Sequence, residues 1–185
     1  QTDFTPAAYA SDFDCEAFIV SSDSIYLFTK EWVSKGTRVY SLPKTPGNYV
    51  AKPGASYNIN GLITGSVYLE EERIVVLTGY NERLKPFLYL LYDFRGSDFF
   101  SGNKRKIDIM LPYHQIEGIT TTNGIKYFIT NEYFTLAPII KTPQMIHLLD
   151  LSPFLGNYLK LPVPQPDVEN SFIISPVPAR EFVTI

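Results

Sequence analysis

Glu16 and Glu117 each head an apolar run, and the two runs are near copies. "EAFIVSSDSIYLFTKEW" begins at Glu16, and "EGITTTNGIKYFITNEY" begins at Glu117. Asp12 and Asp14 stand just before the first run, in "DFDCE". If these carboxylates converge, their oxygens suit a hard cation, with calcium the natural guess. The candidate metal set is therefore Asp12, Asp14, Glu16 and Glu117. The structural use of each glutamate is a clamp that accepts hydrogen bonds from a neighbouring unit, because an unpaired buried carboxylate is costly. Lys30 and Glu132 follow the apolar segments and reach loops that border the same place. The candidate ligand-binding set is Glu16, Glu117, Lys30 and Glu132. Lys30 facing Glu16 could steady an anion; the alternative is that these are solvated loop charges.

Other chemistry-bearing types are sparse. Lys104, Arg105 and Lys106 stand together in "GNKRKID", a grip for phosphate or sulfated glycan, or a solvated outer hairpin. Trp32, Tyr80 and Tyr133 fall at corresponding ends of apolar runs, where they can stack on sugars or pack between units. Cys15 is the one cysteine, which excludes an internal disulfide and a multi-cysteine metal cage. It is expected to be a buried thiol, or half of a disulfide to a segment beyond this chain. His114 and His147 are far apart in sequence, so a histidine cluster finds no support there. No Gly-x-Ser-x-Gly elbow, phosphate loop or dinucleotide fingerprint is present.

These residues are positioned by a repeat. An offset of 101 lays Tyr26 on Tyr127, Thr29 on Thr130 and Glu31 on Glu132. An offset of 49 finds a third copy, "GSVYLEEERIVVLTGY", with Gly65 in the place of Glu16. Units starting near 16, 65 and 117 indicate stacked supersecondary modules. Each reads as antiparallel strands separated by polar turns, with helical periodicity nearly absent. The predicted strands include Ala17–Val20, "IYLFT", "TRVYSL" and an outer "YVAKP" in the first unit. Four strands per repeat of about 50 residues is the pattern of a β-propeller blade. The fold class expected is all-β, a β-propeller with three blades over residues 1–160, and a two-sheet sandwich is the competitor. Three blades do not close a ring of the usual 4 to 8 or so. The reading is therefore the C-terminal part of a larger propeller, or two chains joined in a six-bladed ring.

The 185-residue composition fits a packed domain: 45% hydrophobic, with 13 Tyr and 13 Phe to fill half-buried strands. A net charge of -3 gives no pull toward nucleic acid, and no apolar run reaches the roughly 20 residues of a transmembrane helix. The chain starts at Gln1 without a basic-then-apolar leader, which reads as a processed or cut chain.

"DFDCEAFIVSSDSIYLFTK" and "QIEGITTTNGIKYFITNE" resemble the Glu-Ala and Glu-Gly blade openings of secreted bacterial propellers of the phytase-like and esterase-like kind, nearest to those of the Bacteroidetes. That resemblance covers about residues 12–151. It implies a propeller in which acidic residues hold calcium and, through it, phosphate. After a proline-rich linker at 161–171, "FIISPVPAREFVTI" over 172–185 resembles the start of a type IX secretion system sorting domain. Pro176, Pro178, Phe182 and Ile185 fill the family's Pro-x-Pro turn and second apolar strand, with Val177 where Asn is usual. This implies a secreted or outer-membrane-surface protein whose tail contacts the export machinery. The expected function is a binding or interaction module for a small molecule, glycan or protein, with no catalysis carried by this segment. The alternative is a calcium-dependent phosphoester hydrolase.

Overall fold

The computed structural model describes residues 7, 9–136 and 138–159. The linker and the sorting-signal residues Pro176, Pro178, Phe182 and Ile185 lie outside them. The described chain is mostly β, in antiparallel sheets built from consecutive strands. The first sheet runs β1 (Asp14–Val20), β2 (Ser24–Lys30), β3 (Thr37–Pro43) and β4 (Lys52–Tyr57), in that order. The second repeats the meander with β5 (Leu62–Leu69), β6 (Ile74–Tyr80), β7 (Pro86–Tyr92) and β8 (Asn103–Asp108). In the third, β9 (Ile116–Thr121) and β10 (Lys126–Asn131) pair as before. A short hairpin, β11 (Phe134–Leu136) and β12 (Ile140–Thr142), intervenes before β13 (Met145–Asp150) completes a three-stranded sheet in the order β13-β10-β9.

Helix α1 (Ser152–Leu159) was not foreseen. Its start is local: the Asp150 carboxylate accepts from the Ser152 amide at 2.8 Å, an N-terminal cap. Leu155, buried, ties the helix to the core. The outer strands are also displaced from their expected places. β4 is Lys52–Tyr57 rather than "YVAKP", and β8 is Asn103–Asp108 rather than the "KIDIML" that the sequence offers as the outer strand of the second unit. Both strands are largely exposed, so burial does not mark them in sequence; hydrogen bonding to β3 and β7 sets their limits.

The sheets pack face to face with their first strands adjacent. Ser66 of β5 donates its hydroxyl to the Phe18 carbonyl of β1 at 2.8 Å, and Thr64 donates to the Ile116 carbonyl at the start of β9. One core lies between the first and second sheets: Ala17, Ile19, Phe28 and Val39 meet Ile63, Leu77, Phe87 and Tyr89, with Phe99 and Phe100 filling beside them. A second core lies between the second and third, where Val76, Leu88 and Leu90 meet Tyr127, Ile119 and Leu149. Among the described residues, no helix is long and apolar enough to cross a membrane.

Candidate functional site

Each first strand carries one register irregularity at the same level. β1 pairs Cys15 with Thr29 and Ala17 with Phe28, leaving Glu16 out of the ladder. β9 pairs Ile116 with Asn131 and Gly118 with Thr130, leaving out Glu117. β5 pairs Ile63 with Gly79 and Gly65 with Thr78, leaving out Thr64. A bulge releases one residue from the ladder and re-aims its side chain. The overlay of Gly65 on Glu16 is thus corrected by one position: the released residue of the second sheet is Thr64. Its hydroxyl pins the Ile116 carbonyl, while the two released glutamates open onto a cleft.

The cleft, about 380 Å³, collects side chains from all three sheets. The first sheet and the loop after it supply Asp14, Glu16, Lys30 and Trp32; Tyr80 ends β6; Gln115, Glu117 and Glu132 flank β9 and β10; Tyr9 closes the rim. A larger groove, about 670 Å³, lies between the loops at 81–85 and 108–112 and gathers no comparable set of facing acids and rings.

Lys30 organises the centre. Its side chain is only 4% exposed, and Nζ meets Glu16 Oε2 at 2.7 Å, with the Glu16 side chain 35% exposed. The ammonium also lies over the Trp32 ring at 4.7 Å and the Tyr80 ring at 5.6 Å, an aromatic setting that favours a cation. Burial pulls the lysine's pKa down, but the bond to Glu16 and the charges around it outweigh that, and the net shift is upward. Trp32 is held by its indole N–H, which donates to Asp14 Oδ2 at 2.8 Å, and Tyr9 leans on it with ring centroids 4.5 Å apart. Gln115 donates to the Tyr80 hydroxyl at 3.3 Å.

Glu117 is the perturbed acid. Burial first, then the neighbouring charge of Glu16, pushes its pKa up to about 8; Lys30 opposes this, and Glu132 adds to it. Two carboxyls that share one ammonium cannot both ionise freely, so one holds a proton. At neutral pH the cleft therefore contains a neutral acid that can donate a hydrogen bond, beside carboxylates that can only accept.

The structure brings together Asp14, Glu16, Lys30, Glu117 and Glu132. Asp12 stands apart, its carboxylate accepting from the Val33 and Ser34 amides at 2.7 and 3.1 Å. Of the acids named for calcium, Asp12, Asp14 and Glu16 accept from different protein donors, and Glu117 stands in the cleft with Glu16. Among the described residues, no group of three or more His, Cys, Asp or Glu is arranged to hold a metal ion. Trp32 and Tyr80 line the cleft as two aromatic walls, whereas Tyr133 is exposed and stands outside the lining. The basic cluster resolves into structural roles: Lys104 donates to the Phe100 and Gly102 carbonyls, and Lys106 to those of Ile59 and Asn60. Arg105 covers the Phe154 ring of α1 at 4.6 Å.

Sequence reasoning missed three features. Gln115 and Tyr9 carry no spacing signal. Cys15 is an exposed free thiol rather than a buried one, because the irregularity at Glu16 turns the start of β1 outward. His114 and His147 stand with rings 5.3 Å apart, His147 Nε2 lying 2.9 Å from Asn131 Oδ1. Only the return of β13 alongside β10 places them together.

No family model, no curated protein and no solved structure matches the chain.

Proposed function

We propose that this chain is a binding module of the β-propeller kind, which holds a small polar ligand in the cleft where its first strands converge. The observation that carries this is the cleft's make-up: two released glutamates, a buried lysine and two aromatic walls, contributed by three successive sheets. Few convergent polar groups among aromatic surfaces is the ordinary constitution of a ligand site. Four carboxyl groups against one ammonium set the preference. An anionic ligand meets like charge and finds Lys30 already engaged by Glu16, whereas a hydroxyl-rich or cationic ligand finds acceptors, the Glu117 proton and ring faces.

The arrangement supports binding over turnover. Lys30 locks Glu16, and the Trp32 indole N–H holds Asp14. Export by the type IX secretion system, with the protein released or held at the outer-membrane surface, remains part of the proposal on the pattern of residues 172–185 alone.

Trp32 is the sole tryptophan of the chain and lines the cleft, so its emission reports occupancy directly. Titration with neutral monosaccharides, amino sugars and calcium chloride is expected to change Trp32 emission with a hydroxylated or cationic ligand. Tyr80→Leu, which removes one aromatic wall, should weaken that response at least tenfold, and calorimetry on the same pairs should agree. Silence of Trp32 throughout the series would refute the reading. A response to calcium alone, with phosphate release from generic esters, would replace it with the hydrolase alternative.

A further inference from the structure

Among the described residues, the second sheet is covered on both faces, while each end sheet is covered on one. The free face of the first sheet carries Phe18, Val20, Ile25, Leu27, Tyr40 and Leu42, joined by the pairs Phe18–Leu27, Val20–Ile25, Leu27–Tyr40 and Ile25–Leu42. Phe18 is 60% exposed. The free face of the third sheet carries Phe128 and Leu148, which pair directly, together with Ile146 opposite Thr130. Leu148 is 57% exposed and Phe128 38%. Two such apolar faces at opposite ends of one series are more than scattered surface residues.

The manner of packing inside the chain indicates what covers them. Where β9 lies against β5, the β5 residue beneath it is Gly65; a side chain there would begin 3.0 Å from Thr78 of its own sheet and 3.4 Å from both the Glu117 carbonyl and Ile119 of β9. Gly65 makes room for the next first strand. Gly118 of β9 stands at the corresponding register, since Gly65 pairs with Thr78 and Gly118 with Thr130. A side chain at Gly118 would meet only Thr130 of its own sheet. The room that β5 gives to β9 is repeated on β9, and no described strand uses it.

We propose that the free face of the third sheet seats the first sheet of a second copy of this chain, β1 of one copy lying on β9 of the other as β9 lies on β5. The contact joins two different faces, so two copies satisfy both at once and bring six sheets into one series, within the usual range of closed rings. It extends the sheet stacking already present and is independent of which ligand the cleft takes.

Sedimentation equilibrium of the full chain is expected to give a species of twice the chain mass. Phe18→Glu removes one face and Phe128→Glu the other; each should weaken self-association at least tenfold while far-ultraviolet circular dichroism keeps the β signature. An equimolar mixture of the two variants should associate more tightly than either alone and less tightly than the wild type, because the mixed pair keeps one of the two contacts intact while the other carries both substitutions. If either glutamate impairs folding, Val20→Thr and Leu148→Thr serve the same comparison. A wild-type chain that stays monomeric, single variants that still dimerise as the wild type does, or a mixture that associates no more tightly than either variant alone would each overturn the proposal.

Discussion

β6 in the middle sheet and β10 in the third occupy the same place in their meanders, yet they meet different surroundings. Every residue of β6, "IVVLTGY", is buried, and its neighbour β7, "PFLYLLY", is buried at all but its last position. β10, "KYFITN", alternates strictly between exposed and buried. A strand packed on both faces is apolar at successive positions, while one packed on a single face alternates, because successive side chains point to opposite sides. In these two sheets the covering is thus written in the period of the second strand. The exception is instructive: Phe128 and Leu148 are apolar on the side where alternation calls for polar residues, and there a partner is proposed.

The largest test of this contrast is truncation. Leu77→Ala in β6, fully buried between sheets, is expected to cost about 2–5 kcal/mol in urea unfolding. Leu148→Ala on the open face should cost no more than about 0.5 kcal/mol in the monomer. Comparable losses would mean that the third sheet is covered within the monomer and would end the contrast. Next comes the cleft that joins the sheets. Lys30→Met leaves Glu16 and Glu117 facing each other without a cation. The partial exposure of Glu16 places the loss at about 1–2 kcal/mol, below that of fully buried pairs. A stability unchanged by Lys30→Met in the same urea series would mean that the Lys30–Glu16 pair contributes nothing to the fold.

The smallest effect is a slope with pH. Glu117 titrates near 8 in the folded protein against an ordinary 4.5, so the folded state holds a proton that the unfolded chain has given up. The stability due to this group is complete below about 4.5 and is lost as pH rises through about 8. The melting temperature should fall over that window, and Glu117→Gln should flatten the fall. An equal slope in the variant would place the titration elsewhere.

Much of the architecture was legible from residues alone. Glu16, Thr29 and Trp32 have counterparts at Glu117, Thr130 and Tyr133, and the repeat led to three antiparallel meanders. The central strands announced themselves by apolar runs bounded by turns. β4 and β8 did not, since an exposed outer strand has no burial pattern to betray it. Helix α1 hid because eight residues with a proline and a glycine give little periodicity, and its start depends on the Asp150 cap. Within the site, Glu16, Glu117, Lys30 and Glu132 were singled out by spacing, but the replacement of Gly65 by Thr64 was hidden by a one-residue register change.

Composition and the repeat by themselves determined that this chain makes three antiparallel meanders, because strand and turn preferences are local properties of the sequence. Only the tertiary structure decided that Glu16, Lys30 and Glu117 share one aromatic-walled cleft, and that His114 meets His147. Those pairings arise where sheets stack and strands return, and the irregularities that turn the glutamates out of their ladders depend on hydrogen bonds between strands that no spacing along one strand can specify.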